Sequence, residues 1–155
     1  MAQILRKKMF CSSVLLLLFF LSGEAASQPA SREEPLQIRL GNVTFRTREF
    51  EATPVKLKIL EAHVEVLNQG RDLAAPSNTI KVAISVKDVK PSGGISIQEF
   101  SSRHEEAMLP MDLPPRKGRI VIIGFLLPEE KIESITFEVQ VNPPEGEKKT
   151  VSADL

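Results

Sequence analysis

The sequence predicts an all-β chain folded as a two-sheet antiparallel sandwich of about seven to eight strands. Three observations predict it. Apolar and polar residues alternate in run after run from Leu36 to the C-terminus. Turn signals rich in Gly, Pro and Asn separate those runs at short intervals. No stretch beyond residue 35 sustains a long apolar period of 3.6 residues.

The first 25 residues stand apart. MAQILRKK is short and basic, Met9–Leu21 is an apolar run of 13 residues, and SGEAAS supplies small residues. That is the order of a secretory signal peptide, cut after Ala25 or after Ser27. The apolar run is shorter than the ~20 residues that a spanning helix requires. The expectation is export to the periplasm or the extracellular space. Membrane contact is then made only through the signal-peptide helix, before cleavage. The single cysteine, Cys11, precedes most of the apolar run, whereas a lipid-anchored cysteine follows it. Residues 26–155 contain no cysteine, so they rely on a packed core rather than a disulfide. About 130 residues suffice for one such domain.

The whole chain has 20 basic and 20 acidic residues. Loss of Arg6, Lys7, Lys8 and Glu24 with the signal leaves 17 basic and 19 acidic, a net charge of −2. No basic block survives, which argues against nucleic acid as a partner. The mature part keeps five phenylalanines and has no Trp or Tyr. It therefore offers no stacking platform for a sugar or a base.

The elements follow in order. Ser27–Pro35 is polar and breaker-rich, so residues 26–35 are expected to be a flexible lead to a domain spanning 36–155. LQIRLGNVTF alternates with Leu36, Ile38 and Leu40 on one face, and past Gly41 the apolar positions become Val43 and Phe45. A glycine at a change of frame predicts a bulge or a crossing between sheets. PVKLKILEAHVEVL changes frame too, from Val55, Leu57 and Ile59 to Leu60, Ala62, Val64 and Val66. That predicts a bent strand serving both sheets. TIKVAISV places Ile80, Val82, Ile84 and Val86 inward, with Lys81, Ala83, Ser85 and Lys87 outward. KPSGG is a turn and ISIQEF a short strand. RIVIIGFLL is apolar on both faces, as in a central strand covered on both sides or one edge of a partner surface. ESITFEVQV alternates with Ile135, Phe137, Val139 and Val141 inward, NPPEGE turns the chain, and KTVSADL closes it through Val151 and Ala153.

Ser101–Gly118 is long for a strand connection. Ser102 and Glu105 have the spacing of a capping box for one helical turn before Pro110. Met108, Leu109, Met111 and Leu113 are expected to cover a core edge as the chain crosses between sheets. Asn68-Gln69-Gly70 ends a strand. Asn and Gly both tolerate positive φ, and an Asn side chain bonds a turning backbone, so the pair predicts a structural turn rather than a binding loop.

The strand ending VEVLNQG, the LAAPSN loop, TIKVAISV, MDLPPRKGRIVIIGF and FEVQVNPP together resemble the bacterial cell-adhesion-related domain, CARDB. They also resemble the wider fibronectin-like and immunoglobulin-like modules of exported bacterial proteins. Asn68-Gln69-Gly70 matches the Asn-x-Gly strand end, Pro114–Gly118 the turn before a middle strand, and Asn142–Glu147 the polar turn after the next strand. The likeness covers about residues 36–155. It implies an immunoglobulin-like sandwich used for adhesion, assembly or spacing, with no catalytic residue to carry over.

Few groups in the sequence are suited to catalysis or metal binding. A hydrolase needs a nucleophile, a base and a group that orients the base. Residues 26–155 offer no Cys and two histidines. His63 shares a strand face with Glu61 and Glu65, a candidate for a shallow metal site, although a strand sets alternate residues ~6.6 Å apart and spreads the ligands. His104 lies beside Glu105 and Glu106 in what reads as a wet loop. Glu129 and Glu130 are adjacent and face opposite ways on a strand, which spoils them as an acid pair. Asn42-Val43-Thr44 is a glycosylation sequon, relevant only in a eukaryotic secretory pathway. Arg116, Lys117 and Arg119 gather at one turn and are the candidates for an anionic partner. No phosphate loop, zinc pattern or EF-hand loop occurs in the sequence. The expectation is a non-enzymatic, cofactor-free module that binds a protein partner through a sheet edge or face. The alternative is a small extracytoplasmic metal or anion binder.

Overall fold

A computed structural model describes residues 35–155, apart from 53, 54 and 92. The expected signal peptide and nearly all of the expected lead lie outside the described residues.

Seven strands and one short helix follow one another as β1 (Ile38–Ala52), β2 (Val55–Asn68), β3 (Lys81–Lys90), α1 (Ile95–Ser101), β4 (His104–Met108), β5 (Gly118–Leu126), β6 (Ser134–Val141) and β7 (Lys148–Asp154). They form two antiparallel sheets, of order β1-β2-β5 and β4-β3-β6-β7. This is the two-sheet sandwich that the alternation predicts, immunoglobulin-like in its architecture.

The inward residues behave as their parity dictates. Leu60, Ala62, Val64 and Val66 of β2, Ile80, Val82, Ile84 and Val86 around β3, and Ile135, Phe137, Val139 and Val141 of β6 are all buried. The frame change at Gly41 is a bulge, with the β1–β2 register shifting between Leu40 and Val43. Aromatic rings join the two sheets. Phe45 of β1 stacks on Phe137 of β6 with centroids 5.0 Å apart. Phe137 meets Phe125 of β5 at 5.2 Å. Phe125 takes the edge of Phe100 of α1 at 6.4 Å. This row anchors β5 to the core through its inward face.

Several elements differ from expectation. ISIQEF is helix α1, not a strand. Its buried residues are Ile97 and Phe100, an i, i+3 pair on one helical face, while Ile95 stays 79% exposed. Ser102 is the C-cap of that helix rather than the start of another. The segment around His104 is not a loop but β4, which pairs with β3 from Lys81↔Met108 to Ser85↔His104. β2 does not bend between sheets. Beyond the Gly41 bulge it runs in one register along β1, from the Val43↔Val64 pair to the Ala52↔Val55 pair. The far half of that hairpin has exposed side chains at Arg46–Glu51 and Lys56–Lys58. Leu57 thus continues the outward parity of β2 where no opposing sheet gives it an inside. Ala83, assigned outward, is 4% exposed, because its small side chain lies on a central strand between β4 and β6. Of the four apolar residues of the long connection, Leu109 and Leu113 are buried whereas Met108 and Met111 are exposed.

Asn68 ends β2 and is 1% exposed. Its Nδ2 donates to the carbonyls of Leu73 (2.8 Å) and Leu113 (3.1 Å), and its Oδ1 accepts from the Gly70 amide (3.0 Å). Neither Asn68 nor Gly70 adopts positive φ; the side-chain bonding, not the backbone conformation, is what this pair supplies. Asn68→Ala leaves two carbonyls and one amide without these partners. It is expected to cost about 2–4 kcal/mol. Exposed Gln69→Ala should stay within about 0.5 kcal/mol. Urea denaturation of the two variants checks this.

Two carboxylates on strands, Glu106 of β4 and Glu138 of β6, titrate below the ordinary value of 4.5. A hydrogen bond from Lys81, then one from His104, holds Glu106 down, and a hydrogen bond from Lys87, then one from Lys148, holds Glu138 down. A lowered folded-state value favours the folded chain above 4.5, and that advantage disappears as pH falls through the lowered values. Glu106→Gln combined with Glu138→Gln should therefore lower the urea midpoint at neutral pH and match the unaltered chain near the acid end. A midpoint-against-pH series on both proteins checks it.

Candidate interaction surface

β5 is an edge strand, paired with β2 alone in its sheet. This corrects the central, doubly covered position as an expectation for RIVIIGFLL. Only its inner face is covered: Val121, Ile123 and Phe125 are buried, while Ile120, Ile122 and Leu126 are 58%, 55% and 45% exposed.

The backbone of this strand has a free side that the pairing locates. The Asn68 amide donates to the Lys117 carbonyl, and the Leu127 amide donates to the Lys58 carbonyl. Hydrogen-bonding direction alternates along an antiparallel strand. The odd-numbered residues from Lys117 to Leu127 thus turn their amides and carbonyls to β2. Gly118, Ile120, Ile122, Gly124 and Leu126 turn theirs to the open side, and their side-chain positions are on the outer face. One row of residues therefore offers both an unpaired ladder and an apolar surface.

The other three edges are guarded. β1 is bulged, and side chains at the start of β7 close the bulge: the Leu40 amide donates to Oε2 of Glu147, just before β7, at 2.9 Å, and Lys149 Nζ of β7 donates to the carbonyls of Leu40 (2.7 Å) and Gly41 (3.0 Å). β7 begins with Lys148 and Lys149. β4 is five residues long and carries His104, Glu105 and Glu106. From Ile120 to Leu127, β5 has no charge at all.

The residues singled out from sequence have these positions. Glu61, His63 and Glu65 share the outer face of β2, as their parity requires, and each is half-buried. Glu61 Oε2 is held by Arg48 Nε at 3.0 Å and lies 3.3 Å from His63 Nε2. Glu65 Oε2 instead accepts from the Asn42 amide at 3.0 Å. The two carboxylates are thus drawn apart, and the described residues contain no His, Cys, Asp and Glu group arranged to hold a metal. Arg116, Lys117 and Arg119 surround the turn that starts β5. The Lys117 amide bonds the Pro114 carbonyl at 3.3 Å and Arg116 has φ 57°, the pattern of a type II turn with Pro115 at its second position. Arg116 and Lys117 line a shallow depression of about 300 Å³ with Leu67 and Gln69. Arg119 has the inward parity of Val121. None of the three joins the ion pairs found among the described residues. Glu129 and Glu130 follow the other end of β5, both exposed, and Glu130 accepts a hydrogen bond from Ser96. That bond holds the Glu130 carboxyl below its ordinary value.

One constellation is absent from the sequence reading because β3 and β4 bring it together. Ser85 Oγ lies 2.8 Å from His104 Nδ1, and His104 Nε2 lies 3.2 Å from Glu106 Oε1. A second Glu106 oxygen pairs with Lys81 at 2.8 Å. The order is that of a nucleophile, base and acid. Its setting is an exposed strand face. β3 is paired on both sides, so its amides serve the ladders rather than an oxyanion, and water reaches every member. The Ser85–His104 and Lys81–Glu106 contacts are cross-strand pairs between β3 and β4, and His104–Glu106 is an i, i+2 contact along β4.

No protein-family model matches the chain, and no curated protein does. One solved structure, the X-ray structure of Northeast Structural Genomics Consortium target SoR45, is similar at 14% identity with a TM-score of 0.42, over 76% of this chain and 86% of that one.

The outer-face reading of β5 has a direct consequence for stability. Ile120→Thr and Ile122→Thr should each change the urea midpoint by an amount equivalent to about 0.5 kcal/mol or less, as exposed sites do. Phe125→Ala, between Phe137 and Phe100, should cost about 3–5 kcal/mol.

Proposed function

We propose that this chain is an exported, non-catalytic interaction or assembly module of the cell envelope or extracellular space, and that β5 is its contact element. One observation carries the reading: β5 presents an open hydrogen-bonding edge and an uncharged apolar row on the same residues, while the other sheet edges are blunted. A partner strand laid along Ile120, Ile122 and Gly124 gains main-chain hydrogen bonds from the edge and side-chain contact from the isoleucines. Edge addition of this kind needs a rigid platform, and the phenylalanine row behind Phe125 provides it. The secretory pattern of the first 25 residues and the likeness to adhesion-related exported modules support the same reading. A metal-binding role is less well supported, because Arg48 and the Asn42 amide draw Glu61 and Glu65 apart. The described residues include no helix long and apolar enough to cross a membrane.

A photoreactive amino acid placed at Ile122, and separately at Thr150 on the β7 edge, tests this in the producing cell. Adducts of defined mass at Ile122, and none of the same mass at Thr150, are expected. Equal labelling at both edges, or none at Ile122, would sink the proposal.

A further inference from the structure

We propose that the occupant of the β5 edge is a second copy of this chain, paired antiparallel about a two-fold axis at Ile122. The inference rests on the edge reading above and names its partner.

The free row runs from Gly118 to Leu126, so Ile122 is its midpoint. A two-fold axis there pairs the whole row with itself. Ile122 meets Ile122 of the second copy, Ile120 meets Gly124, and Leu126 meets Gly118. Each large side chain away from the axis thus lies opposite a glycine, beside the β2 side chains of the other copy that pack over it, Leu67 and Glu65 at Gly118 and Ile59 at Gly124. The Ile122 pair is of the hydrogen-bonded kind, since its amide and carbonyl both point to the open side. The two three-stranded sheets become one six-stranded sheet, and both unpaired edges disappear.

Charge supports the antiparallel pairing and opposes a parallel one. β5 has a basic end, at Arg116, Lys117 and Arg119, and an acidic end, at Glu129 and Glu130. All five are exposed, and the three cations join no ion pair among the described residues. The proposed register sets Arg116 against Pro128 and Lys117 against Leu127 of the second copy. The basic turn of each copy then lies beside Glu129 and Glu130 of the other. Parallel pairing would stack cation on cation and carboxylate on carboxylate. Two shallow depressions occupy the same two ends. Arg116 and Lys117 line one, and Leu126, Leu127 and Pro128 line the other, of about 120 Å³. The two-fold axis brings each next to its opposite.

Sedimentation equilibrium tests this on protein expressed from the full-length reading frame and purified as the host delivers it. A short edge interface is weak, so the range needed is about 1–500 μM. The expected result is a mass that rises toward twice the monomer. Ile122→Lys, which places like charges on the axis, should weaken association at least tenfold with unchanged circular dichroism. Two charge variants supply the decisive arm. Lys117→Glu with Arg119→Glu makes both ends acidic, and Glu129→Lys with Glu130→Lys makes both ends basic. Each variant alone should be monomeric, and an equimolar mixture should regain the dimer mass. A monomer throughout the range overturns the second copy as occupant. In that case, adducts at Ile122 to a different protein keep the edge reading, whereas no adduct at Ile122 removes both. A dimer that survives Ile122→Lys, or variants whose mixture stays monomeric, also overturns the proposal.

Discussion

Asn68 holds together three parts of the chain that share no secondary structure. Its amide nitrogen reaches the crossing after β2 at Leu73 and the crossing before β5 at Leu113, and its oxygen takes the Gly70 amide. The two crossings are further tied by the Ala75–Leu113 bridge and by the Asn78 amide on the Leu109 carbonyl. A Cβ added at Gly70 would lie 3.0 Å from the Asn68 oxygen, closer than side chains normally approach. The Asn-x-Gly pair is therefore one device. Glycine leaves the space into which the asparagine oxygen folds, and the asparagine gives the Leu73 carbonyl a donor and the Leu113 carbonyl a second donor beside the Ala75 amide. Because Leu113 is caught here, the Pro114–Lys117 turn and the start of β5 are placed as well. The backbone bond from the Asn68 amide to the Lys117 carbonyl carries the same constraint into the β2–β5 ladder.

From that fixed start β5 runs along β2 as the last strand of its sheet, with Phe125 locked between Phe137 and Phe100. The strand is consequently packed on its inner face and exposed on its outer face and edge. A rigid, preformed edge loses little conformational freedom when a strand docks on it, so more of the contact energy appears as affinity. Covering Ile120 and Ile122 would add about 25 cal/mol for each Å² of apolar surface removed from water.

What was legible in the sequence follows from how many faces of each element are covered. β3 and β6 each have an inward row of Val, Ile or Phe and a polar outward row, so period-two alternation reveals strand and orientation together. The Gly41 frame change was visible because a bulge shifts parity and glycine marks the place. The frame change in β2 was visible but misleading. Leu57 and Ile59 lie where the β1–β2 hairpin outruns the opposing sheet, and apolar residues there reflect outward parity rather than a second core. Helix α1 was hidden because Ile95 and Ile97 mimic alternation over three residues, while the pair that decides it, Ile97 and Phe100, is only one helical turn. β4 was hidden because a charged five-residue edge strand has no apolar face to read. The metal candidates shared a face as predicted. What sequence could not foresee is that Arg48 and the Asn42 amide, both from β1, take the two carboxylates in different directions.

The apolar row on β5 lies outside the core of this domain. Its odd-numbered residues already supply the core, and its even-numbered ones touch no opposing sheet. Blunting an edge is chemically cheap, and this chain does it three times, by a bulge closed with Glu147 and Lys149, by paired lysines on β7 and by acidic residues on the short β4. An edge left uncharged over eight residues beside such neighbours is exposed to unwanted pairing with any free strand. The glycines at 118 and 124 answer to the sheet itself: a Cβ at Gly118 would lie 2.9 Å from Leu67 Cδ2, and one at Gly124 would lie 3.3 Å from Ile59 Cγ2, so outer side chains of β2 lean over β5 at both places. The exposed isoleucines between them are bordered by β2 on one side and by an open backbone edge on the other, and a strand docked there would cover the edge and the isoleucines together.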